Sequence, residues 1–242
     1  MIRKPSDLGY SDEGFALPDL SWRERVIPVE HRDAWAEGFL FAPDAVSLSD
    51  QRSTRRMTLA KRIVEAAAIV AAEPDDQWLI WCELNAEGDA LESAIDGAVQ
   101  VAGAMDAETK TERLIGFAEG RYRVLVTKPS IAGFGMNWQR CARIIFVGAS
   151  HSYEQTYQAV RRCWRYGQTR DVHAYVLRAE TEGAITSNMR RKEADAQKMA
   201  EGMLEHMRDE QRHAVRGTSR EWNVYEPGVE MTIPAWCQME NA

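Results

Sequence analysis

Two stretches of the chain carry groups that could grip phosphate. The first is Thr127-Lys-Pro-Ser-Ile-Ala-Gly-Phe-Gly-Met-Asn-Trp-Gln139. Glycines at 133 and 135 place no Cβ between the backbone N–H groups and an approaching anion. Lys128, Ser130 and Asn137 add side-chain donors. As a dinucleotide fingerprint the loop is incomplete, because the third glycine of Gly-x-Gly-x-x-Gly is missing. The second stretch is Gln158-Ala-Val-Arg-Arg-Cys-Trp-Arg-Tyr-Gly-Gln168. Arg162 and Arg165 stand three apart, so on a helix they project from one face, one turn from each other. Two guanidinium groups side by side repel unless an anion or carboxylates lie between them, and their planar forks match phosphate oxygens. Salt bridges to the acidic part of the chain are the alternative for the same pair.

Such loops need a scaffold, and the rest of the sequence supplies one. The chain has 242 residues, 45% hydrophobic and 28% charged. That is ordinary globular composition, which excludes a disordered or fibrous chain. No apolar run reaches the ~20 residues of a bilayer span. Met-Ile-Arg-Lys-Pro-Ser-Asp at the start lacks the apolar stretch of a signal peptide, so a soluble, cytoplasmic protein is expected. Residues 1–50, with Pro5, Pro18, Pro28 and Pro43, read as an extended lead-in. Apolar residues at helical spacing predict a helix over 52–72, stopped by Pro74. Short apolar runs then alternate with helical patterns. Strands are expected at 77–82, 98–102, 123–127, 143–147 and 172–177, with helices at 86–95, 108–119 and 153–164. This alternation implies an α/β domain over 51–180, a parallel sheet with helices on both faces. Its strand ends and the loops after them gather on one rim. Residues 181–242 are expected to form a long helix with a methionine stripe, to about residue 213, and then an irregular strap.

Charge is unevenly distributed. The net charge is −7, yet residues 121–170 hold nine basic side chains against one acid, Glu154. Residues 73–119 hold twelve acids against Lys110 and Arg113. A local basic stretch on an acidic protein points to one anion-binding face, with a solvated basic surface as the bland alternative. The four cysteines and five histidines have no zinc-site spacing, so no metal site is expected and the thiols read as buried and reduced.

Taken together, Gly-Phe-Gly-Met-Asn, a strand about ten residues later, and Gln-Ala-x-x-Arg-x-x-Arg-x-Gly-Gln closely resemble motifs V and VI of superfamily 2 helicases. The Swi/Snf-like branch is similar, and the run from Ser152 to Gln168 looks especially like phage-encoded DEAD/DEAH-type helicases. The resemblance implies a second, C-terminal RecA-like lobe, a three-layer parallel sheet with helices on both faces, here followed by a C-terminal helical extension. It implies an ATP-dependent DNA helicase or translocase, an NTP hydrolase, in the cytoplasm (of the host, if phage-encoded). Arg165 and Arg162 would be arginine fingers, with Gln158 coupling the phosphate to the neighbouring lobe. Gly133, Gly135 and Asn137 would belong to the nucleotide side. Thr127, Lys128 and Ser130 would lie on the nucleic-acid track, with DNA as the partner and RNA as the other option. No Gly-x-x-x-x-Gly-Lys-Ser/Thr loop and no strand ending in Asp-Glu occurs, so Walker A and B motifs are absent. ATP, with its Mg²⁺, would be held by an N-terminal lobe supplied in cis or in trans, and the chain is expected to be inactive alone. The alternative is a non-catalytic nucleic-acid-binding or regulatory module of the same fold. A dinucleotide enzyme would further need an acidic ribose ligand, for which Glu83 is the candidate.

Overall fold

The computed structural model describes residues 16–29, 48–132, 135–148, 152–183 and 191–199, with Ser11, Glu13, Ser187 and Gly202 singly. The chain divides into two units, of which Asp12–Glu201 holds the sheet.

Six strands form one sheet: β1 (Leu20–Ile27), β2 (Trp78–Trp81), β3 (Ala98–Val101), β4 (Val124–Thr127), β5 (Arg143–Val147) and β6 (Val172–Ala179), in the order β1-β6-β5-β2-β4-β3. Every pairing is parallel. All strand starts therefore lie along one edge, the foot, and all strand ends along the other, the rim. Between them run α1 (Leu48–Met57), α2 (Leu59–Ala72), α3 (Asn85–Ala94), α4 (Ala107–Glu119), the single turn α5 (Pro129–Ala132) and α6 (Tyr153–Val160).

Side chains alternate across a strand, and here the alternation sorts the apolar residues into two cores. Leu79, Trp81, Leu125, Ile144 and Phe146 pack on one face with Phe117 of α4 and Ala159 and Val160 of α6. Trp78, Ile80, Val126, Ile145 and Val147 pack on the other with Ile63 and Ile69 of α2 and Leu91 of α3. Because both faces are covered, β2 and β4 are buried at all four positions, which is why they read as continuous apolar runs. Local chemistry ends α4 where the sequence suggests. Asp106 caps α4 by accepting from Thr109 N, and Gly120, with φ +85°, closes it in a left-handed turn.

Three expectations are corrected. The sheet is not confined to 51–180: within the extended lead-in, Leu20–Ile27 is an edge strand, paired along its length with β6. The helix expected over 52–72 is two helices that meet at Thr58. The helix expected over 153–164 stops at Val160. Of the expected terminal helix, 191–199 is helical, while residues beyond 202 and the strap lie outside the described residues. Among the described residues, no helix is long and apolar enough to cross a membrane.

A buried ion pair ties the start of this unit to its end. Arg62 of α2 has no exposed surface. It donates to Thr58 Oγ1 (2.7 Å), Leu177 O (2.8 Å) and Glu182 Oε2 (2.7 Å). Glu182, equally buried in the 3-10 turn Glu180–Glu182, also accepts from Ala179 N at 2.8 Å.

Candidate functional site

At the rim, the loop after β4 divides its polar groups between two neighbours. Thr127 is buried, and its hydroxyl donates to Val101 O of β3 at 3.0 Å. The side chain expected on the nucleic-acid track therefore braces the sheet instead. Lys128 Nζ donates to Asn85 Oδ1 at the start of α3, 2.6 Å away, and Ser130 is exposed on α5. Gly133 lies outside the described residues. Gly135 has φ +82° and open space where a Cβ would stand. Then Met136 O accepts from Arg162 Nη1 (3.3 Å), and Asn137 Oδ1 accepts from Arg165 Nη1. Trp138 is buried between Trp81 and Phe117, and its N donates to Arg162 O at 2.9 Å.

The second stretch begins at α6, capped by Ser152 Oγ, which accepts from Gln155 N. Gln158 lies between opposite charges. Its Nε2 donates to Glu154 Oε1 at 2.9 Å, and its Oε1 and main-chain O accept from Arg162 at 3.4 and 3.1 Å. Since α6 has ended, Arg162 and Arg165 stand on the turn that follows it, not on a helical face. They still converge, because both reach the connection between β4 and β5. At the rim itself a small cleft is lined by Arg55, Trp81, Glu83, Phe146, Gln155 and Thr156. Arg55 is buried there, 3.6 Å from Glu83 and 3.7 Å from Glu87, and lies so close to Gly148 that a Cβ at that glycine would meet its guanidinium carbon at 2.6 Å.

The arginine pair is electrostatically uncompensated. Among the described residues neither Arg162 nor Arg165 forms an ion pair; their partners are neutral oxygens. Arg165 Nε is buried with no acceptor. Burial, and then the charge of Arg165, pull the Arg162 guanidinium below its ordinary pKa. A third cation, Arg161, is held over the rings of Trp164 (5.3 Å) and Tyr157 (5.9 Å). Elsewhere three members of the basic stretch are compensated. Arg121 pairs with Glu112 and Glu119, Arg143 with Glu73 and Asp76, and Arg170 with Asp76. The charge surplus read along the sequence is thus reduced in space, although Arg123 and Arg140, like the arginine pair, have no carboxylate partner among the described residues.

Three side chains that sequence reasoning assigned no role belong to this site. Asn85 holds Lys128, and Gln139 and Gln168 hold the turn carrying the arginines. Gln168 closes the second motif, which was the available signal. Asn85 and Gln139 gave none, since their partners are distant in sequence. The cysteines described are buried, and burial pushes the Cys82 thiol up to about 12. Among the described residues no group of three His, Cys, Asp or Glu could hold a metal ion.

Comparison with known proteins gives a likeness over part of the chain. The family model of the helicase conserved C-terminal domain matches residues 60–167, from α2 to the end of the arginine turn. That stretch is similar to a helicase C-terminal domain, and the six-stranded parallel sheet is of the RecA-like architecture. Similar solved structures include the C-terminal part of the Fun30 ATPase domain, at 17% identity and TM-score 0.48, covering 57% of this chain and 46% of that one. S. cerevisiae Dbp5 bound to RNA and ADP BeF3 gives 14% identity and TM-score 0.49, covering 55% of this chain and 36% of that one. The C-terminal domain of the DEAD-box protein Dbp5 gives 14% identity and TM-score 0.49, covering 56% and 80%. The chain spans less than half the length of the first two. No curated protein matches the sequence.

Proposed function

We propose that this chain is the C-terminal lobe of an ATP-dependent DNA helicase or translocase of the Swi/Snf-like, phage-type branch of superfamily 2. Its task is to present Arg165 and Arg162 to the phosphates of an ATP held by an N-terminal lobe. One observation carries the reading: two adjacent guanidinium groups have only neutral oxygens as partners, and Arg165 Nε has no acceptor at all. Buried donors without acceptors are costly, and a polyphosphate supplies what is missing. The donor set therefore fits a triphosphate, whose Mg²⁺ would be held by the other lobe.

ATP supplies the phosphoryl group and the driving energy; this lobe's residues supply position and charge. Arg165 offsets charge developing on the transferring group, and Arg162 supports it with a guanidinium held on Met136 O and Gln158. Gln158, set between Glu154 and Arg162, couples the arginine turn to α6. Gly135 and Asn137 connect that turn to the loop bearing Lys128 and Ser130, which meet a nucleic-acid phosphate. Thr127 shapes this loop from inside the sheet. Lobe closure around ATP would then move the track.

The test is reconstitution. The full chain alone is expected to show negligible ATPase activity. Adding an N-terminal lobe with a Gly-Lys-Thr loop and an Asp-Glu box restores DNA-stimulated turnover, and Arg165→Ala then lowers it by about 10³-fold or more. Robust turnover by this chain alone, or full activity with Arg165→Ala, overturns the reading.

A further inference from the structure

Arg162 and Arg165 lie beyond the last residue of α6, where no i→i−4 bond is made by their own N–H groups. Within the turn the backbone makes only short-range bonds: Arg162 N to Ala159 O at 3.3 Å, Trp164 N to Val160 O at 2.9 Å and Gln168 N to Arg165 O at 3.0 Å. A turn bearing two mutually repelling cations samples many arrangements unless contacts from outside restrict it. Trp138 N provides one such contact, to Arg162 O. Gln139 provides another, its Nε2 donating to Tyr166 O at 2.8 Å. Gln168 provides the most. Its Nε2 donates to Cys141 O (2.9 Å) and Cys163 O (3.4 Å), and its Oε1 accepts from Thr169 N and Arg170 N (both 3.0 Å). A primary amide has two N–H donors and two acceptor lone pairs, and all four are engaged here. One buried side chain thereby joins the residues before β5, the arginine turn and the segment leading into β6. A carboxylate cannot replace it, because it has nothing to donate to the two carbonyls.

We propose that Gln168, assisted by Gln139 at the outer margin of the turn, is a positioning residue that presents Arg162 and Arg165 as a fixed pair to a polyphosphate. It touches no substrate and acts through the backbone of Cys163, Thr169 and Arg170. The polyphosphate part rests on the function proposed above.

The full chain, ¹⁵N-labelled at arginine, is observed by NMR at the Nε–Hε groups, with inorganic tripolyphosphate as the probe. In the wild type, the Arg162 and Arg165 signals stand away from the free-arginine position before any addition, and move when tripolyphosphate is added. In Gln168→Glu at pH 7.5 both signals shift toward the free-arginine position, and tripolyphosphate binds about tenfold more weakly, the order expected for losing a buried hydrogen bond. Lowering the pH to about 5 reverses both changes. The protonated acid regains one O–H donor and a carbonyl acceptor in the shape of the amide. A role in general stability predicts no such arginine-specific, pH-reversible response. Unchanged arginine signals and unchanged titration in Gln168→Glu overturn the proposal. Should that variant lose the dispersion of the whole sheet, Gln139→Leu decides. Gln139 is half-buried at the margin, and its replacement must shift the Arg165 signal in the same direction, or the proposal falls. If tripolyphosphate moves neither arginine in the wild type, the phosphate reading fails, while the ligand-free signals still report on Gln168.

Discussion

The foot of the sheet and the turn after α6 are both rich in arginine, and the two regions use it in opposite ways. At the foot, Arg143 lies 2.5 Å from Glu73 and 3.3 Å from Asp76, and Asp76 is shared with Arg170. Arg143 and Arg170 each have a carboxylate from a segment remote in sequence, and the network clamps the start of β5 to the loop before β2. At the turn, Arg162 and Arg165 meet carbonyl and amide oxygens only. Charge that serves the fold is neutralised within the fold, whereas charge left facing neutral dipoles is held ready for something else. The buried Arg62–Glu182 pair is the extreme of the first kind.

The largest effect is expected where compensation is deepest. Arg62→Met leaves the Glu182 carboxylate buried without its partner, and should cost about 3–5 kcal/mol in urea unfolding. The double variant Arg62→Met/Glu182→Leu should recover most of that loss, because two well-packed apolar side chains replace a buried ion pair at little net cost. If the double variant is as unstable as the single one, the pair contributes more than mutual neutralisation. Next comes Arg143→Met at the half-buried foot, expected to cost about 1–2 kcal/mol by the same measurement.

Why these two regions differ could not be read from the sequence, although much of the frame could. The strand 143–147 was legible to the residue, because it is a short apolar run with both faces covered. The strand Leu20–Ile27 was not. It is an edge strand with Arg23, Glu24 and Arg25 in its middle and Trp22 and Val26 exposed, so neither burial nor alternation marks it. The helix from Tyr153 ends early although Cys163 and Trp164 continue its apolar spacing, because Arg162 O and Tyr166 O are drawn off by Trp138 N and Gln139. At the site, the residue types and their pairing were legible: Arg162 and Arg165 do converge on residues 136 and 137. The neutralisation of Arg143 and Arg170 was invisible, since each acid comes from another segment and only folding brings it near.

The foot network also carries a pH signature. Burial by itself would raise the Asp76 carboxyl, but the hydrogen bond from Arg170 and the charge of Arg143 outweigh it and hold the group below the ordinary carboxylate range. A depressed folded-state pKa contributes stability that is present above the unfolded value, about 3.9, and is lost as pH falls through the folded one. The urea midpoint of the wild type should therefore fall below about pH 4, and Asp76→Asn should flatten part of that fall while lowering stability at pH 7. An acid limb unchanged in Asp76→Asn would mean that other carboxylates, such as Glu112, which Tyr122 and Arg121 hold below the ordinary range, account for it.

The smallest effect on stability sharpens the comparison most. Arg165→Met removes one of two repelling cations and a contact to a neutral amide, so its unfolding free energy should stay within about 0.5 kcal/mol of the wild type, or rise. The same change should abolish what a polyanion does. Inorganic tripolyphosphate that binds only the folded chain raises the wild-type Tm by mass action, and that rise should vanish in Arg165→Met while surviving in Arg143→Met, measured at a denaturant level where both are folded. A loss in Arg165→Met as large as that in Arg143→Met would instead place Arg165 among the structural arginines. The contrast between foot and turn would then be one of degree, because a cation needed for stability is already answered inside the lobe and has little left to offer a phosphate.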